Sequence, residues 1–266
     1  MSDCTWCPGC GNFGIWQALK GTFSKLNLSP TNTVAVFDIG CNSNMYNWLG
    51  MNAFEGLHGR ALPLAEGVKR ANPGLHILAI AGDGGCYGEG GNHLLAACRK
   101  NLDMTVLVHN NQVYALTTGQ TSPATEKGYQ TKSTPSGAPD LPLNPVLVSL
   151  AANASFVARG FSGDLPHLTD LIVAAINHKG FSIVDILQPC ITFNSLNTFE
   201  WFRKRVYHLE NHDTGNKLEA IKKAMEWGEK IPLGIFFQEE RELSESLSTT
   251  DSKVKVDFDS LVKEFL

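Results

Sequence analysis

The sequence predicts an α/β protein built on a doubly wound, mostly parallel sheet, and three observations carry that reading. Short apolar runs rich in Val and Ile recur along the chain, helical periodicities separate them, and the first three end in Gly, Asp or Asn. The runs are "TVAVFDIG" (33–40), "HILAIAGDGG" (76–85), "MTVLVHNN" (104–111) and "FSIVDILQP" (181–189). Continuous apolar runs of this length suit strands covered on both faces. Helical patterns fall at 59–72, 89–101 and 164–180, the last with Asp164 placed to cap it. Strand–helix–strand alternation implies parallel pairing, and such sheets bind ligands beyond the carboxyl ends of their strands. "DIGC", "AGDGG" and "HNNQVY" all fall there.

Between the third and fourth runs lies "GQTSPATEKGYQTKSTPSGAPDLPLNP" (119–145), with five prolines and no apolar period. A connection of that length suits an active-site or partner loop. From Phe199 the chain changes character, so a sheet domain over 1–198 is followed by an extension over 199–266 that packs on the domain or on a partner. The extension holds a short helical pattern at 216–228, the strand-like "IPLGIFF", an acidic, Ser-rich linker at 238–253 and a weak amphipathic helix at 257–266.

Twenty-two Lys and Arg against 26 Asp and Glu give a net charge of -4 with no basic tract. Neither nucleic acid nor an anionic membrane surface is an expected partner. No apolar run approaches the roughly 18 residues of a membrane span, and the N-terminus lacks the layout of a signal peptide. The chain is expected to be cytoplasmic. Its seven cysteines, at 4, 7, 10, 41, 86, 98 and 190, point to metal or redox work rather than a disulfide framework.

The most specific signal is GDG at 82–84 followed, after 25 intervening residues, by Asn110 and Asn111. A carboxylate directly after one strand and an amide directly after the next sit side by side in a parallel sheet. Asp83 and Asn111 can therefore grip one hard cation, Mg2+, which commonly keeps phosphate oxygens among its ligands. Gly82, Gly84 and Gly85 let the backbone approach a diphosphate, and the helix after Gly88 directs its positive end there. An ordinary strand–turn–helix with a turn Asp explains GDG alone, but not GDG with NN at this interval. Glu89 reads as a first-turn acid favoured by the helix dipole. His93 reads as a structural hydrogen bonder, and Cys86 and Cys98 as inert core thiols.

Spacing leaves the sulfur ligands open. Cys4, Cys7 and Cys10 imitate the start of a bacterial ferredoxin run, but no fourth Cys follows at the required interval. Alternatively, Cys7 and Cys10 join Cys41 and Cys190, each placed at the carboxyl end of a strand. Four thiolates would equally serve zinc.

In "WCPGCG", "IGC", "LHGRALP", "GDG", "GGNH", "NNQVYALTTGQTSP" and "QPC", spread over residues 6–190, the sequence resembles the beta subunits of 2-oxoacid:ferredoxin oxidoreductases, a branch of the thiamine-diphosphate enzymes. The resemblance implies a thiamine-diphosphate-binding fold in which Asp83, the Asn111 side chain and the Val113 carbonyl hold Mg2+. It places Ile39, Gly40, Cys41, Asn42, His58, Gly82, Gly84, Gly85, Ala115 and Leu116 around the cofactor, with Leu116 and Asn44 at the reaction centre. It selects Cys7, Cys10, Cys41 and Cys190 for a 4Fe-4S cluster and makes Cys4 a spare. The implied reaction joins a 2-oxoacid, coenzyme A and oxidised ferredoxin to give acyl-CoA, CO2 and reduced ferredoxin. The Glu that activates thiamine is expected on the pyrimidine-binding domain of an alpha subunit. Several members that accept 2-oxoglutarate carry Lys or Arg where this chain has Asn44, so a pyruvate-like monocarboxylic substrate is favoured. A non-oxidative thiamine decarboxylase or synthase subunit and a zinc-stabilised diphosphate-binding module are the rival readings.

Overall fold

A computed structural model describes residues 5–244. Cys4, the end of the 238–253 linker and the helical pattern at 257–266 lie outside the described residues. In chain order the first half runs α1 (Asn12–Leu26), β1 (Thr33–Phe37), β2 (Asn52–Glu55), α2 (Ala61–Ala71), β3 (His76–Gly82), α3 (Gly91–Lys100) and β4 (Met104–Asn110). A small hairpin follows, β5 (Val113–Tyr114) with β6 (Gln120–Thr121). Then come α4 (Pro145–Ala151), β7 (Phe156–Phe161), α5 (Leu165–Asn177), β8 (Phe181–Leu187), α6 (Phe199–Arg203), β9 (Val206–His208), α7 (Lys217–Ala224) and β10 (Ile231–Gln238).

Eight strands form one sheet in the order β2-β1-β3-β4-β8-β7-β10-β9. The six from β2 to β7 run parallel; β10 turns antiparallel against β7 and carries β9 parallel beside it. The expected doubly wound, mostly parallel sheet is the observed one. Its inner strands bury both faces: Val34 and Val36 of β1 belong to the cluster packed with α2, α3, α4 and α7, while Ala35 and Phe37 belong to the one packed with α1 and α5. That double burial explains why the strands read as unbroken apolar runs rather than alternating ones.

Two local features depart from the sequence reading. The helix expected from residue 89 begins at Gly91, because residues 84–89 wind as a π turn closed by Gly90 N–H donating to the Gly85 carbonyl at 2.7 Å. A side chain at Gly90 would meet that carbonyl at 2.5 Å, so the turn needs glycine there. Second, β7 contains a fully buried arginine. Arg159 Nε donates to Asp185 Oδ2 at 3.0 Å, and Tyr87 and Asn110 both donate to Asp185 Oδ1 at 2.9 Å. This buried network ties β7 and β8 to the π turn and to the end of β4.

Candidate active site

β3 and β4 pair in parallel with Gly82 beside His109, so the residues that follow them emerge together at one edge. Asp83 and Asn111 both line a cavity of about 80 Å³ there. Asp83 is 2% exposed, and its Oδ2 accepts a hydrogen bond from the Ser122 hydroxyl at 2.5 Å. Burial pushes its carboxyl up to about 7, against the opposing effect of that hydroxyl. Asn111 Oδ1 accepts from Val113 N–H at 3.1 Å, which closes a tight turn. Gln112 sits at the centre of the turn with φ +60°, and its amide nitrogen donates to the Ala124 carbonyl at 3.0 Å. The proline-rich loop therefore fixes both ends of the GDG and NN pair.

The other walls come from loops after β1 and after β2. Ile39, Gly40, Cys41 and Asn42 line the cavity with Gly82, Gly84, Gly85, Ala115, Leu116 and His58. The Asn42 amide nitrogen is committed to the Asp38 and Ile80 carbonyls at 3.3 and 3.1 Å, so it clips β1 to β3 while its face forms wall. His58 Nδ1 lies 3.2 Å from Glu89 Oε2, and the Tyr114 hydroxyl donates to the same carboxylate at 3.3 Å. Glu89 thus ends the π turn as a rim residue facing His58 and Tyr114, a correction to its reading as a first-turn acid. The reason is the two-residue delay of α3, which begins at Gly91 after the π turn. His93 lines neither this cavity nor the sulfur-lined one beside it.

That second cavity, of about 240 Å³, is lined by Cys7, Cys10, Cys41 and Cys190. It shares Cys41, Asn111, Ala115, Leu116 and Gln188 with the first. Burial pushes the Cys10 thiol up to about 12 and Cys41 to about 11, and other sulfurs of the quartet add to both shifts. The Trp6 indole N–H donates to the Cys41 carbonyl at 2.6 Å, holding the N-terminal Cys-x-x-Cys segment against the loop after β1. Asn44 lines this sulfur cavity and not the first one. Cys86 and Cys98 are buried in the core beside α3.

Three site residues escaped the sequence reading. Gln188, inside "QPC", bridges the cavities: its Nε2 lies 3.5 Å from Cys10 Sγ, and its buried Oε1 has no partner among the described residues. Asp38, inside "DIGC", is fully buried; Oδ1 accepts Gly59 N–H at 2.6 Å while Oδ2 has no partner among the described residues. Burial raises its carboxyl above the usual range. His109 lines the first cavity and is held by Asn12 Oδ1 at 2.7 Å; its Nε2 is likewise unpartnered among the described residues, and burial lowers its proton affinity to about 3. An acid within an otherwise apolar strand run was the one available signal for Asp38.

The donor sets suit two inorganic groups. A buried carboxylate beside an amide oxygen and a backbone carbonyl, all oxygen donors, fits a hard cation such as Mg2+. Four sulfurs in one cavity, two of them held neutral by burial, fit a group that draws off thiol protons on binding. A side chain at Gly84 would run into the Tyr114 ring, so the close packing of Tyr114 on the GDG turn needs glycine there.

Residues 38–186 match the thiamine pyrophosphate enzyme C-terminal TPP-binding domain, and residues 190–251 match the C-terminal region of the pyruvate ferredoxin oxidoreductase beta subunit. The chain is 44% identical over 246 residues to subunit beta of 2-oxoacid:ferredoxin oxidoreductase 1 from Aeropyrum pernix, spanning 87% of this chain and 77% of that one. It is 42% identical over 249 residues to the Saccharolobus solfataricus 2-oxoacid:ferredoxin oxidoreductase subunit beta, spanning 88% and 82%. With the 2-oxoglutarate oxidoreductase subunit KorB of Mycobacterium tuberculosis it shares 42% identity over 199 residues, 75% of this chain and 53% of that one. A solved structure of 2-oxoglutarate:ferredoxin oxidoreductase from Magnetococcus marinus, with 2-oxoglutarate, coenzyme A and succinyl-CoA bound, superposes with a TM-score of 0.91 at 33% identity, covering 99% of this chain and 92% of that one. By these matches and by its mostly parallel thiamine-enzyme fold, the chain belongs to the beta subunits of the 2-oxoacid:ferredoxin oxidoreductases.

Proposed function

We propose that this chain is the diphosphate-binding and electron-transferring half of an enzyme that oxidatively decarboxylates a pyruvate-like 2-oxoacid to acyl-CoA and CO2, with ferredoxin as electron acceptor. The observation that carries the reading is the shared wall, Cys41, Asn111, Ala115, Leu116 and Gln188, between the Asp83 cavity and the four-cysteine cavity. Asp83, Asn111 and the Val113 carbonyl would hold Mg2+, with Ser122 fixing the orientation of the Asp83 carboxylate. Gly84, Gly85 and His58 would meet the diphosphate, and Ile39, Ala115 and Leu116 would exclude water from the reacting end. Thiamine diphosphate, when bound, supplies an electron sink for decarboxylation. Cys7, Cys10, Cys41 and Cys190 would hold a 4Fe-4S cluster, which supplies one-electron transfer.

Among the described residues lining the first cavity Asp83 is the single acid, and it would be taken up by the cation. The Glu that activates the aminopyrimidine therefore comes from an alpha subunit, so turnover needs that partner. Asn44, on the sulfur side of the shared wall, offers no cation to a distal carboxylate, which favours a monocarboxylic substrate. The ligand assignment is tested by iron content: Cys190→Ser should lose most iron, while Cys4→Ser keeps it. Equal loss from both would return the cluster to the Cys4, Cys7, Cys10 run.

A further inference from the structure

We propose that Asp164, His167 and His208 form a site for a divalent transition metal of the zinc class, which fastens β9 to the start of α5. Among the described residues these three are the group of His, Cys, Asp and Glu whose ligand atoms all lie within 4.8 Å of one another. None of them lines the cofactor cavity or the sulfur cavity. Two imidazoles and a carboxylate are a donor set suited to zinc, with water completing a tetrahedron.

The geometry is partly organised before any metal arrives. Asp164 caps α5, its Oδ1 accepting His167 N–H at 3.4 Å, so the carboxylate is fixed by the helix it begins. Its other oxygen, Oδ2, lies 2.8 Å from His208 Nε2. The His167 and His208 rings stack at 4.1 Å. A plain His–carboxylate hydrogen bond would account for Asp164 and His208, but it leaves His167 Nδ1 buried with no partner among the described residues. A metal gives that nitrogen a role.

Zinc ligands sit about 2.0–2.2 Å from the ion, so the donors must draw together and the two rings must unstack on binding. His208 has room to turn, since its side chain is 47% exposed and faces water. The site joins two parts of the chain far apart in sequence. The turn before Asp164 also supports the sulfur side: a side chain at Gly14 of α1 would run into the Ser162 carbonyl, and one at Gly11 would meet the Ser162 hydroxyl at 2.9 Å. A metal here would stiffen the frame behind the Cys-x-x-Cys segment without touching a cluster ligand.

The test uses the full chain loaded with iron and thiamine diphosphate, dialysed without oxygen against micromolar zinc, with bound zinc, iron and melting temperature measured together. Wild type should take up one zinc per chain with iron unchanged and should melt higher in its presence. His167→Gln and His208→Gln should each weaken uptake by about tenfold or more and abolish the thermal shift. Asp164→Asn, which keeps the helix-cap acceptor, should weaken uptake while leaving the zinc-free melting temperature near that of wild type; a His93→Gln control should bind normally. Cobalt in place of zinc should show tetrahedral visible absorption that the histidine variants lose. Zinc uptake unaffected by the histidine variants, or no stoichiometric uptake in wild type, overturns the proposal.

Discussion

The Ser122 hydroxyl donates to Asp83 Oδ2 at 2.5 Å, tying the proline-rich loop to the GDG turn across 39 residues. The loop is thereby part of the proposed cation site, and it orients a buried carboxylate whose charge is costly without a counter-ion. With no cation, the folded carboxyl titrates at about 7 instead of its ordinary 3.8.

That shift has a defined sign. Because the folded acid holds its proton more tightly, its favourable contribution is complete below pH 3.8 and is lost as pH rises through 7. Asp83→Asn should therefore stabilise the cofactor-free chain at pH 8, by up to a few kcal/mol at about 1.4 kcal/mol per pH unit. The gain should vanish near pH 4. Magnesium with thiamine diphosphate should raise the melting temperature of wild type and leave the variant unmoved. Denaturant midpoints against pH, with and without cofactor, check this; a variant less stable than wild type at pH 8 without cofactor would count against it.

The Arg159–Asp185 pair makes a different prediction, about the frame rather than the site. Asp185→Ala leaves a guanidinium buried without its counter-charge and takes the acceptor from Tyr87 and Asn110. Stability should fall by about 3–5 kcal/mol. Arg159→Met combined with Asp185→Leu should cost less than the single change, since no lone charge remains. Urea unfolding of the variants decides it, and a double variant worse than the single one would locate the cost in packing.

The placement of Asp83 with Asn111 on one cavity was legible because the strands were, whereas spacing left the choice of sulfurs open and the family resemblance selected the four that line one cavity. Asp83 and Asn111 stand directly after apolar runs buried on both faces, so a parallel sheet brings them together whatever the loops do. Cys41 and Cys190 follow from the same logic. β7 was hidden because Arg159 interrupts its apolar run, and that charge is satisfied by Asp185, 26 residues along the chain. The π turn was hidden because it depends on Gly90 approaching Gly85, a closure that no helical period announces. β2 is short and mostly exposed, with Phe54 and Glu55 in water, so it lacks any burial pattern. Gln188 went unnoticed because an amide carries no distinctive spacing.

Substrate choice is open to a direct exchange. Asn44→Lys, in the complex reconstituted with its partner, should raise kcat/KM for 2-oxoglutarate relative to pyruvate by supplying a cation for the distal carboxylate. Competition kinetics measure the ratio. An unchanged ratio would place the selecting residue on the partner chain.

Iron, sulfide, zinc and thiamine content of the chain purified without oxygen tests the central claim most directly, since the proposed activity needs a redox cluster and thiamine on one polypeptide. The account predicts about four iron, about four sulfide and one thiamine diphosphate per chain, with visible absorbance bleached by reductant. Zinc in the cysteine cavity, with neither iron nor sulfide, would contradict it.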